Sequence, residues 1–135
     1  MNREDWKKVE DRLCFPGAKM SLRVDARDVV LEVRTDKMKM VIAVYVDGWM
    51  KGEWVDAKNP YPEQAYMRRH ERYLWSNKQR DVAAKWAKRY GKRDARACFG
   101  DMDKKIVFFL SYFPSVRAVR THYEKTFKSI ELVEA

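Results

Sequence analysis

The sequence predicts an α+β fold: an antiparallel sheet of about six strands packed with three or four helices, in one domain spanning residues 1–135. Three observations predict it. Apolar residues recur at helical spacing near both ends and in the middle of the chain. Between Met20 and Val33 the period drops to two, which places alternate side chains on opposite faces of a strand. A length of 135 residues with 46% hydrophobic residues suits a single core.

Asn2, with Asp5 three residues on, predicts a helix N-cap, and Trp6, Val9 and Leu13 follow as one apolar stripe. Phe15-Pro16-Gly17 stops that helix, because Pro disfavours helix at the residue before it and Gly permits the turn. Met20, Leu22 and Val24 predict a first strand with one wet face, and Val29, Leu31 and Val33 a second. Met38 to Val46 is apolar at almost every position from Met40 onward, the pattern of a strand covered on both faces. Asp47-Gly48 is the strongest hairpin signal and predicts a return strand from Trp49 to Val55, with Gly52 as a bulge or a close approach.

Asn59-Pro60-Tyr61-Pro62 breaks the sheet region and opens a basic helical segment at about 62–96. Tyr66, Tyr73 and Leu74 share a face of a first helix. Ser76 and Gln79 have capping-box spacing, so a second helix restarts there or the two form one bent rod. In the second half Val82, Ala83, Trp86, Ala87 and Tyr90 cover an apolar arc of about 140°, which requires burial. Trp86 and Tyr90 are therefore expected as anchors, and Trp75 near the break as the more exposed ring. Gly91 predicts the stop. Beyond a polar connection, Ile106 to Tyr112 predicts a strand, Pro114-Ser115 starts a helix with Val116, Val119, Tyr123 and Phe127 on one face, and Ile130 to Val133 closes the sheet.

Charge is segregated. Tyr66 to Arg96 holds eleven of the 29 Lys and Arg residues against three acids, a net +8 of the chain's +9, so the remainder is close to neutral. No apolar run approaches the roughly 20 residues that span a bilayer. Residues 1–10 are charged throughout with no apolar core of a secretory signal, so a cytoplasmic protein without a membrane partner is expected.

Little in the sequence speaks for catalysis, and neither cofactor nor metal is expected. Cys14, Cys98, His70 and His122 are too scattered for zinc-ligand spacing, and each Cys lacks a local His. A metal-dependent nuclease needs paired carboxylates and a Lys near the attacked phosphate. Asp56-Ala57-Lys58, with Glu53 nearby, and Asp103-Lys104-Lys105 match only the short half of that pattern, which solvated strand ends match equally well. The five glycines do not cluster into a phosphate loop. No zinc-finger spacing, aromatic RNA-binding strand or heptad-backed basic region is present.

Electrostatic contact with nucleic acid therefore has the most support, through Arg68, Arg69, Arg72, Lys78, Lys85, Lys88, Arg89 and Lys92. The alternative is an acidic or nucleic-acid-binding protein partner gripped by the same cations. The bland account of the charge is a solvated face that keeps the protein soluble.

Phe15-Pro16-Gly17, Val46-Asp47-Gly48 with Lys51-Gly52-Glu53-Trp54, Tyr112-Phe113-Pro114-Ser115 and Ser129-Ile130-Glu131-Leu132-Val133 together resemble a group of small proteins encoded by tailed bacteriophages and prophages. The shared residues are turn and strand residues, so no activity carries over. The resemblance implies a phage gene expressed in a bacterial cytoplasm. It also implies a role in binding, either to nucleic acid or, as an inhibitor, to host or defence proteins such as CRISPR effectors and restriction enzymes.

Overall fold

The computed structural model describes residues 1–133, which form four α-helices and seven strands, five of them in one antiparallel sheet and two in a second sheet, an α+β protein. Among these residues no helix is long and apolar enough to cross a membrane. They gather into two compact units: Met1–Arg69 with the chain from Phe109 onward, and His70–Phe108.

The first unit is built on a five-stranded sheet. Its elements are α1 (Arg3–Arg12), β1 (Lys19–Val24), β2 (Arg27–Asp36), β3 (Lys39–Val46), β6 (Tyr112–Phe113), α4 (Val116–Thr126) and β7 (Ile130–Val133), and the strand order is β6-β3-β2-β1-β7. Register follows the predicted alternation: Leu22 faces Val29 across β1 and β2, and Leu31 faces Val44 across β2 and β3. Those side chains share one core with Trp6 and Val9 of α1 and with Val119 and Tyr123 of α4. The cap of α1 is reciprocal, with the Asp5 amide donating to Asn2 Oδ1 at 2.8 Å and the Asn2 amide to Asp5 Oδ2 at 3.3 Å. Tyr123 is fully buried; its hydroxyl donates to the Tyr66 carbonyl at 2.8 Å, and burial holds its pKa well above the ordinary phenol value.

Three differences from expectation have physical causes. First, β3 is not covered evenly: Ile42, Val44 and Val46 enter the core, while Val41 and Tyr45 on the alternate face stay partly exposed and Arg34 lies over the Tyr45 ring at 5.5 Å. Apolar alternation between two unequal faces mimics a doubly covered strand. Second, Trp49 to Val55 is not a strand. Asp47-Gly48 makes the turn, but pairing stops at one bridge between Val46 and Trp49, and Gly52–Val55 coils into a 3-10 turn that sends Trp54 into the core.

The buried Gln64 holds that turn. Its Nε2 lies 2.9–3.0 Å from the carbonyls of Trp54, Asp56 and Asn59, and its Oε1 accepts from the Tyr61 amide. Third, the predicted strand from Ile106 to Tyr112 is two strands, β5 (Lys105–Leu110) and β6, divided at buried Ser111, whose carbonyl accepts from the Val44 amide at 2.8 Å.

The first half of the basic segment is corrected from helix to strand. A short 3-10 turn, Pro62–Tyr66, ends at Met67, which is extended and buried, and β4 (Arg68–Tyr73) then pairs with β5 in a two-stranded sheet. Its contacts have period two, since His70 and Arg72 both lie on the Phe108 ring. Arg and Glu in that hexapeptide favour helix intrinsically, and strand pairing overrides the preference. The second half is helical as expected: α2 (Asn77–Tyr90) starts on the Ser76–Gln79 capping box and stops at Gly91, which has positive φ. A further helix, α3 (Lys92–Phe99), follows at once.

Candidate nucleic-acid interface

A segment of about 40 residues cannot bury a large core, and His70–Phe108 does not: only Ala83 and Ala95 in it are buried. These alanines let α2 and α3 approach closely, around a cavity of about 370 Å³ that Ala84 and Ala87 also line. Trp86 packs on Tyr90 at 4.6 Å and on Phe99 at 5.7 Å. Trp86 is partly buried, so it anchors as expected. Tyr90 is corrected: half of it (51%) is exposed, because it lies at the helix end where α3 turns away. Trp75 is also corrected, being partly buried in a groove with Val82, Phe99 and Met102.

The cations take the circumference left over. Lys78, Lys85 and Arg89 recur at i, i+7 and i+11 along α2, on the side away from Ala83, with Lys88 beside them and Lys92 opening α3. All five are exposed, and among the described residues none is ion-paired. Arg93 and Arg96 of α3 are exposed as well, although nothing in their spacing singled them out in the sequence. Between Asn77 and Phe99 eight Lys and Arg face two acids. Arg80 belongs to the framework instead: its guanidinium is 3.4 Å from the Tyr73 centroid, its Nε donates to the Met102 carbonyl, and it pairs with Asp103 at 3.7 Å. Lys105 lies 5.1 Å from the same ring. Arg72 sits 5.6 Å from Phe108 and Arg89 5.4 Å from Tyr90, so two candidates are ordered over aromatic faces while their donors remain exposed.

The eight selected residues therefore do not form one helical surface. Arg72, Lys78, Lys85, Lys88, Arg89 and Lys92 belong to the second unit. Arg68 and Arg69 belong to the first, where they line a surface cavity of about 540 Å³ with Arg117 and Lys125 of α4. Neither Arg117 nor Lys125 is among the residues selected from the sequence. Their signal was present: Arg117, Thr121 and Lys125 at i, i+4 and i+8, on the face of α4 opposite Val116, Val119 and Tyr123.

The weaker candidates are held in structural contacts. Asp56 Oδ1 accepts from the Lys58 amide and Glu53 Oε2 from the Tyr61 hydroxyl, both within the Gln64-clamped loop. Asp101 Oδ1 accepts from the Asp103 amide. Cys14 and Cys98 are exposed thiols, and His122 donates from Nε2 to the Ala65 carbonyl at 2.8 Å. Among the described residues no three His, Cys, Asp or Glu side chains are grouped closely enough to hold a metal ion. No protein-family model, curated protein or solved structure matches the chain.

Proposed function

We propose that the protein is a non-enzymatic nucleic-acid-binding protein of phage type, acting in the bacterial cytoplasm and contacting phosphates electrostatically through α2 and α3. The observation that carries this is the row of exposed, unpaired cations, Lys78, Lys85, Lys88, Arg89 and Lys92, on a small unit with almost no core of its own. Unpaired Lys and Arg release counterions from a phosphate backbone, and six such contacts on duplex DNA give a log-log salt slope of about −5. Arg72 and Arg89, stacked on rings, add planar donors suited to phosphate or base edges. Fluorescence anisotropy with labelled duplex and single-stranded DNA and RNA, across about 50–200 mM salt, tests it. Steep salt-dependent binding is expected; no binding at the low end overturns the proposal.

The groove lined by Trp75, Val82, Phe99 and Met102 and rimmed by Lys78 favours a second function. There the protein is a phage-encoded inhibitor that docks on an acidic or nucleic-acid-binding host or defence protein, with apolar contacts at the centre and cations at the edge. Binding to such a protein that persists at high salt and is lost in Val82→Glu distinguishes it from the first.

A further inference from the structure

The cavity on α4 stands apart from the surface just assigned, because every residue lining it belongs to the first unit. Two elements converge on it. Arg68 and Arg69 arrive from the start of β4, and α4 contributes the side of the helix that does not face the core, with Arg117, Thr121 and Lys125 one turn apart from each other. Ser115 adds a hydroxyl at the rim, although its Oγ already accepts from the Ala118 amide as the helix cap. The floor is fixed. His122 is tied through Nε2 to the Ala65 carbonyl at 2.8 Å, and its ring packs on buried Phe113 at 5.9 Å.

The lining is unbalanced in charge. It carries four Lys and Arg side chains and no carboxylate. The acid nearest in sequence on α4, Glu124, is engaged elsewhere, accepting from Arg120 Nε at 3.1 Å. Among the described residues no ion pair involves Arg68, Arg117 or Lys125. Arg68, Arg117 and Lys125, gathered without an ion-pair partner among the described residues, repel one another, so the arrangement is relieved by an anion that accepts from several donors at once. A phosphoryl group, with its oxygens spread over one centre, fits forked guanidinium donors and an ammonium together better than a single carboxylate does.

The Thr121 hydroxyl is already spent on the Arg117 carbonyl at 3.0 Å. We infer that this cavity is an oxyanion site that takes a phosphoryl group, engaged by Arg68, Arg117 and Lys125, with Arg69 beside them. Its source is either the phosphodiester of a nucleic-acid strand, in which case the site rests on the function proposed above, or a free phosphate or phosphomonoester.

Amide chemical-shift titration of the full chain with inorganic phosphate, with a nucleoside monophosphate and with a short oligonucleotide tests it. With phosphate and the monophosphate, saturable shifts confined to residues 65–69 and 113–125 are expected, and the oligonucleotide should shift these together with α2 and α3; the shifts at 65–69 and 113–125 should be lost in Arg117→Glu/Lys125→Glu and retained in Lys7→Glu/Lys39→Glu, which changes the net charge equally on exposed residues elsewhere. Lys85→Glu/Arg89→Glu keeps those shifts while weakening oligonucleotide binding. Phosphate shifts without any oligonucleotide binding support the site and overturn only the proposed function. Absent shifts, or shifts undiminished in Arg117→Glu/Lys125→Glu, overturn the site. Both substituted residues are exposed, and amide spectra of the variants that otherwise overlay the parent exclude unfolding.

Discussion

Arg27 Nη1 lies 2.8 Å from Glu63 Oε1, an ion pair that joins the start of β2 to the 3-10 turn before β4. The hydrogen bond from Arg27 is the largest influence on Glu63 and holds its carboxyl below the ordinary 4.5, against a smaller opposing effect of burial. The folded carboxyl thus keeps its charge to lower pH than the unfolded one. Its contribution to stability is complete above about 4.5 and is lost as pH falls through the folded value. Denaturant midpoints measured between about pH 3 and pH 7 should fall at the acid end, and Arg27→Met should flatten that dependence. The pair is partly exposed, so the effect is modest.

Gln64→Leu should destabilise the protein by about 2–3 kcal/mol, because the Trp54, Asp56 and Asn59 carbonyls lose their shared donor. Gln64→Glu, which offers only acceptors when ionised, should cost more at neutral pH than at about pH 4, where the protonated acid regains a donor. Urea unfolding at the two pH values checks both.

Lys37 and Met38 make the β2–β3 turn with φ of 47° and 67°, and Asp25 and Ala26 make the β1–β2 turn in the same left-handed region. The Met38 side chain is 98% exposed, so nothing is lost by removing it. Lys37→Asn/Met38→Gly should therefore stabilise by about 0.5–1 kcal/mol, the relief of left-handed strain less the extra entropy of unfolded Gly. Thermal unfolding reads the difference.

Lys85→Glu/Arg89→Glu should lower the magnitude of the salt slope for nucleic-acid binding by about 2 while leaving stability within about 0.5 kcal/mol. An unchanged slope would remove this stripe of α2 from the interface.

Ser76→Ala should loosen α2 locally by about 1 kcal/mol, because the Gln79 amide loses the Ser76 hydroxyl as its acceptor. Hydrogen exchange of the first-turn amides should accelerate, with exchange at β2 unchanged.

The parts of the fold legible in the sequence are those set by local chemistry: the reciprocal cap at Asn2 and Asp5, the stripe of Trp6, Val9 and Leu13, the alternation through β1 and β2, and the Ser76–Gln79 restart. What stayed hidden depends on partners distant in sequence. Nothing near Trp54 announces that Gln64 will bend its backbone into the core. Nothing in Arg68–Tyr73 announces β5 as its neighbour, so intrinsic helix preference misled there. Of the candidate site, the α2 cations were legible because one helix carries them. The Arg68–Arg117 cavity was not, because almost fifty residues separate its two halves.

The whole buried cluster that defines the five-stranded unit lies outside His70–Phe108, a segment interposed between its two parts in sequence. The two stretches are consequently free to diverge under different pressures. Substitutions in the sheet and its helices are filtered by volume and shape, since each side chain there meets several others. Those in the interposed segment, where only Ala83 and Ala95 are buried, meet little such restriction. Among descendants of this chain, the interposed segment should drift fastest in sequence while conserving its electrostatic sign.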